Sequence, residues 1–299
     1  MRSTAWIALS LFLTACGGGG SETEPVEIAQ DDLVVIANDQ SLGIYLPADE
    51  ETSEYISYQL FEDQGLWRLG EAHLATRFPD TAKFKRAYSG YSIVNNGEWS
   101  RAIFEEGAPD FIGGFHANET TSSVELNGGP VWKEGRKVVK SLVLSTESEL
   151  YRYETETKIA EISTTYDFNA KRLQVSQKIT WLEAVDVETA YLSMFPIKRK
   201  LPNGEQITDM GYRSPDYEPE DILTEGFPIE MTTGTRVVRL EGSWSDLVAE
   251  VSVESISGVP EPEVFISNSS RYNKVYFNFA SDAASGDVWE VVTSYKITK

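Results

Sequence analysis

The sequence predicts an all-β protein: a single large antiparallel β-sandwich, or jelly-roll-like domain, with long loops. Three observations predict it. Apolar and polar residues alternate with period two over several long segments, the mark of strands with one buried and one wet face. Turn signals such as Asn95-Asn96-Gly97, Asn127-Gly128-Gly129-Pro130 and Pro202-Asn203-Gly204 separate those segments. Helical periodicity is scarce, and no repeat of fixed period is present.

The elements follow in order. The folded part begins near Leu33. Residues 62–77 (EDQGLWRLGEAHLATR) are a candidate helix, weakened by Gly65 and Gly70. Over residues 160–168, Ala160, Ile162, Tyr166 and Phe168 share one face, and Glu161, Ser163, Thr165 and Asp167 the other. A polar turn at residues 169–172 follows. Then Leu173, Val175, Ile179 and Trp181 alternate with Gln174, Ser176, Lys178 and Thr180, which predicts a long hairpin. Residues 219–226 have room for a turn or two of helix. Residues 236–240 and 248–253 are further strand candidates. Val275, Phe277 and Phe279 alternate with Lys274, Tyr276 and Asn278. Trp289, Val291, Tyr295 and Ile297 alternate with Val288, Glu290, Ser294 and Lys296. Two sheets of this size often leave a concave face, and concave faces with aromatics suit sugars.

Composition narrows the function. The 299 residues are 41% hydrophobic and include 14 Tyr, 13 Phe and 7 Trp, so wholesale disorder is excluded. Lys and Arg total 26 against 47 Asp and Glu, a net charge of -21, which argues against nucleic acid as a partner. We read that charge as a solubility feature. There is no G-x-S-x-G, no Gly-rich phosphate loop and no dinucleotide fingerprint, so no nucleotide partner is indicated. His73 and His116 are the two histidines, and no zinc motif surrounds them. No EF-hand loop occurs, although scattered Asp and Glu leave room for a structural Ca²⁺; no cofactor is required.

The N-terminus carries an address. Arg2 precedes an apolar stretch at residues 5–13, too short to span a bilayer but the length of a signal h-region. Leu13-Thr14-Ala15-Cys16 resembles a bacterial lipobox. The resemblance implies removal of residues 1–15, lipid on Cys16 and anchoring through more than one acyl chain. The alternative is a soluble secreted protein. Gly17, in place of Asp, resembles an outer-membrane address in a Gram-negative envelope. Cys16 is the only cysteine, so lipidation leaves no thiol for catalysis. Residues 16–32 then form a flexible acidic tether, and residues 33–299 the sandwich domain.

Three places stand out for chemistry. Residues 110–119 (DFIGGFHANE) put His116 after a Gly-Gly bend among polar side chains, where it can serve as general base or acid. The plainer reading is a connecting loop. Residues 190–200 (AYLSMFPIKRK) run an aromatic strand into Lys198, Arg199 and Lys200. Those cations can neutralise a carboxylate or sulfate, or simply balance neighbouring acids. Tyr191 and Tyr212 are among the tyrosines near turn-rich segments, able to pass a proton or stack on a sugar. His73, beside Glu71, is a further candidate.

One chemistry uses these parts together. Cleaving a uronate-linked polysaccharide by β-elimination needs a cation on the carboxylate, a base for the neighbouring C–H and an acid for the leaving oxygen. His116, Tyr191 and Arg199 supply that set, with Asn118, Lys198, Tyr212 and His73 as substrate-binding candidates. The second hypothesis is a non-catalytic glycan-binding or envelope-structural lipoprotein.

The run Gly113-Gly114-Phe115-His116-Ala117-Asn118-Glu119, with Tyr191-Leu192-Ser193-Met194-Phe195-Pro196 downstream, resembles β-sandwich polysaccharide lyases of marine bacteria and related phage proteins. The family form has Gly where this chain has Ala117. The resemblance implies a lyase acting on an acidic algal or bacterial glycan, and it carries over His116 and Asn118.

Overall fold

The computed structural model describes residues 29–48, 54–75, 89–94, 99, 101–198, 210–213, 228–230, 234–241, 247–268 and 272–299. Cys16, Arg199, residues 219–226 and the side chain of Tyr212 lie outside this description. Among the described residues there is no helix. They form β1 (Leu33–Asn38), β2 (Ser41–Pro47), β3 (Tyr55–Asp63), β4 (Leu66–Ala75), β5 (Ser89–Val94) and β6 (Ala102–Glu105). Then come β7 (Glu119–Leu126), β8 (Gly135–Val139), β9 (Ser141–Tyr151), β10 (Lys158–Asn169), β11 (Arg172–Trp181) and β12 (Val187–Lys198). The last are β13 (Met210–Arg213), β14 (Pro228–Glu230), β15 (Val237–Glu241), β16 (Val248–Ser257), β17 (Glu263–Asn268), β18 (Tyr272–Asn278) and β19 (Val288–Thr298).

Two antiparallel sheets result. The larger has 11 strands and runs β14-β17-β18-β12-β5-β4-β3-β2-β1-β8, with β6 also paired to β12. The smaller has 8 strands and runs β13-β15-β16-β19-β11-β10-β9-β7. The predicted hairpin forms as β10 and β11, in a register that sets Ala160 opposite Trp181. Its apolar face joins the core, and Glu161, Ser163 and Thr165 face away from it.

The sheets are tied together by rings. Tyr58 of β3 meets Phe168 of β10 edge-on at 5.7 Å, and Tyr295 of β19 meets Trp99 at 5.4 Å and Phe195 of β12 at 5.2 Å. Each such pair adds about 0.5–1.5 kcal/mol beyond its buried area. The Tyr295 hydroxyl donates to the Trp99 carbonyl at 3.2 Å, and Ser193 Oγ lies 3.1 Å from it.

In place of the helix expected at residues 62–77, the described residues 62–75 form the end of β3, a tight turn and β4. Gln64 and Gly65 both take left-handed backbone (φ 54° and 83°), the two-residue hairpin geometry that matches strand twist. All ten residues of β4 are buried, so both of its faces are covered and the strand does not alternate. Gly70 serves packing here: a Cβ would come within 2.8 Å of the Phe61 ring.

Gly258, just after β16, supports a first prediction. Its φ is +72°, and a Cβ would sit 1.9 Å from the Val288 carbonyl oxygen. Gly258→Ala is expected to cost about 1–3 kcal/mol, read as a lowered urea midpoint. Gly286→Ala, with φ +94° but nothing within 4 Å, is the control and should cost less. Equal midpoints for the two variants would remove the overlap as the cause.

Candidate functional site

The site begins where β6 leaves the large sheet. Ile103 of β6 and Ile112 exchange backbone hydrogen bonds at 3.0 and 2.8 Å, which closes the intervening turn. Ile103 and Ile112 point into the core. By strand alternation Phe104 and Phe111 lie on the opposite, outer side. Their ring centroids are 5.2 Å apart.

The Gly-Gly bend follows. Gly113 and Gly114 have φ of 82° and 59°, where a side chain is strained. The turn is closed by Gly113 N–H donating to the Ala117 carbonyl (3.1 Å) and His116 N–H to the Gly113 carbonyl (3.0 Å). Asn118 is left-handed as well (φ 73°), a conformation asparagine tolerates better than most residues. Its Nδ2 donates to the Arg152 carbonyl at 3.2 Å, and its own carbonyl accepts from Tyr151 N–H at 2.8 Å. Asn118 therefore anchors the loop to β9.

Beneath the loop lies a buried ion pair. Glu119 opens β7, and both of its carboxylate oxygens accept from the Arg101 guanidinium, at 2.9 Å from Nε and closer still from Nη2. Gly114 N–H donates to Glu119 at 2.7 Å, and the Ser148 hydroxyl at 2.5 Å. Arg101 Nη1 reaches Thr164 Oγ1 (2.9 Å) and Gln177 Oε1 (3.2 Å) on the small sheet. Gln177 in turn donates to the Leu192 carbonyl of β12. One polar network thus joins the His116 loop, the small sheet and the strand bearing Tyr191. Burial pushes the Glu119 carboxyl up, but Arg101, Ser148 and the Gly114 N–H outweigh it and hold it below the ordinary carboxylate range.

His116 and Tyr191 meet through Phe111. The His116 ring is 5.2 Å from the Phe111 ring, and Tyr191 stacks on Phe111 at 5.9 Å. Tyr191 also meets Tyr276 of β18 at 4.7 Å and Phe265 of β17 at 5.7 Å; those two stack at 4.5 Å. The register explains this. Phe265, Tyr276 and Met194 are lateral neighbours, and core residues Val264, Val275 and Phe195 alternate with them. A row of rings therefore crosses the outer face of the large sheet. Lys274 Nζ lies 4.6 Å from the centre of the Tyr276 ring, so positive charge accompanies the row in an acidic protein. Burial raises the Tyr191 phenol, which keeps it protonated and suits it to donate.

The other candidates fall elsewhere. Lys198 ends β12, seven positions beyond Tyr191, or roughly 20 Å along a strand. The two do not serve one sugar ring. His73 is buried on the outer face of β4, its Nε2 2.8 Å from Glu71 Oε2, with β5 between β4 and β12. Tyr212 lies in β13, at the edge of the small sheet. Among the described residues no three His, Asp or Glu side chains form a group suited to a metal ion.

Sequence reading missed Phe104, Phe111, Phe265, Tyr276, Lys274, Arg101 and the buried role of Glu119. The alternation of Lys274 and Tyr276 against Val275 and Phe277 was a usable signal for one outer face. Nothing local indicated which strand lay beside it.

No protein-family model matches the chain, and no curated protein matches it in sequence. Solved structures are similar to it at low identity. A galactose mutarotase-like protein from Clostridium acetobutylicum is 11% identical, with a TM-score of 0.48 over 91% of this chain and 100% of that one. One from Lactobacillus casei is 10% identical, with a TM-score of 0.43 over 89% and 99%. The 4-alpha-glucanotransferase from Thermococcus litoralis is 8% identical, with a TM-score of 0.43 over 89% of this chain; the chain spans 39% of that protein's length.

Proposed function

We propose that this protein is a surface-anchored polysaccharide lyase that cleaves an acidic, uronate-containing glycan on the outer face of its large sheet. The observation that carries the reading is the shared contact of His116 and Tyr191 with Phe111, inside a row of aromatic rings. The rings supply apolar surface for sugar faces. His116 takes the proton beside the uronate carboxylate. The electron pair left behind forms the ring double bond, the C–O bond to the leaving sugar breaks, and Tyr191 protonates that oxygen. Lys274, held against the Tyr276 ring, offsets the carboxylate charge. Lipid on Cys16, behind the tether of residues 16–32, holds the domain at the outer membrane.

A second reading rests on the same row of rings. Phe265, Tyr276, Tyr191 and Phe111 suffice to hold a glycan without cleaving it. The two readings separate in one assay. Purified protein is incubated with ulvan, alginate, pectate, chondroitin and hyaluronan while ultraviolet absorbance reports unsaturated uronate. A rise on one substrate supports the lyase. Saturable binding with a flat trace supports the binding protein instead. Tyr191→Phe keeps the ring contacts and removes the acid, so turnover should fall about 10²-fold with little change in binding. A Tyr191→Phe variant with full turnover would remove Tyr191 from the chemistry.

A further inference from the structure

We infer that Phe115, braced from beneath by Arg68, is a stacking platform for one pyranose ring next to His116, an inference that rests on the glycan reading above. Phe115 is 40% exposed, the only aromatic among the exposed large hydrophobics of the described residues. A lone exposed apolar side chain is ordinary on a protein surface. This one is held in place. The Arg68 guanidinium lies 4.1 Å from the centre of its ring and 5.7 Å from that of Phe61 on the neighbouring strand.

Arg68 is itself buried on the outer face of β4 and tied at two points. Nη2 pairs with Asp63, and Nη1 donates to the Gly114 carbonyl at 3.3 Å. Its Nε is buried with no hydrogen-bond partner, so its place is set by these ties and the two rings. The loop is equally constrained, because the bonds across residues 113–117 fix the turn on which Phe115 and His116 sit side by side. An aromatic ring already held in its bound orientation loses little freedom when a ligand settles on it. The partner such a ring selects is the apolar C–H face of a sugar. A sugar on Phe115 adjoins one at His116, so the platform would set which part of the chain meets the base.

The test uses the full-length protein and whichever polysaccharide of the panel it binds or cleaves. Phe115→Ala is expected to raise the dissociation constant and KM about 10-fold, with kcat within about twofold, and Phe115→Trp to restore both. Arg68→Met keeps the bulk and removes the brace. It should raise KM severalfold and increase the mobility of the Phe115 ring in ¹³C relaxation. Unchanged affinity and KM in Phe115→Ala overturns the platform and leaves the glycan reading standing. A fall in kcat at constant KM also overturns it, since the ring would then act on the reacting centre. Absence of binding to every glycan by the unaltered protein overturns both.

Discussion

Glu119→Ala is expected to lower the unfolding free energy by about 3–5 kcal/mol, the usual result of deleting one partner of a buried ion pair. The Arg101 guanidinium would be left charged inside the sandwich, and the Gly114 N–H and Ser148 hydroxyl would lose their acceptor. Urea denaturation measures the loss directly. The double variant Arg101→Met, Glu119→Leu should recover much of it, because an apolar pair avoids the desolvation of two charges. It should not recover function, since Gly114 N–H still lacks its acceptor and the His116 loop is left with its Asn118 and Arg68 ties. If Glu119→Ala is as stable as the unaltered protein, the pair contributes nothing net and the argument fails.

The same carboxylate gives a pH signature. Its folded-state affinity for a proton is depressed. The stability it contributes is therefore fully present above the unfolded-state value of about 4.3 and lost as pH falls through the lower folded value. The stability difference between the unaltered protein and Glu119→Ala should be constant at neutral pH and shrink in acid. A difference that grows in acid would reverse the sign and sink the assignment.

His116→Ala is expected to reduce turnover by about 10²–10⁴-fold with the fold intact, the range for loss of a positioned general base. The ring is partly exposed at the loop and packs beside Phe111, so its removal opens no large cavity. Near-ultraviolet circular dichroism should overlay that of the unaltered protein while uronate absorbance stays flat. Retained turnover would falsify the role of His116 as base. Intact glycan affinity in the same variant is expected, because Phe115, Phe111 and Tyr191 remain.

Much of the fold was legible because alternation is a property of one strand by itself. The faces of β10, β11, β18 and β19 could be read residue by residue, and the structure keeps them. The reading broke at β4, where burial on both faces erases alternation and Leu66, Leu69 and Leu74 mimic a helical spacing. His116 was legible through the glycines before it. Its surroundings were not. Phe265 and Tyr276 reach Tyr191 from strands some 75 to 85 positions away, by a register that no local pattern encodes. Glu119 read as one polar neighbour of His116 in the run 110–119, until the fold buried it against Arg101 and made it a tie for the loop. Period, turns and composition act over a few residues, so the chain alone specified an acidic all-β protein with a histidine on a bend. Which side chains surround that histidine depended on strand order and sheet packing, because contacts between distant segments exist only once the core has closed.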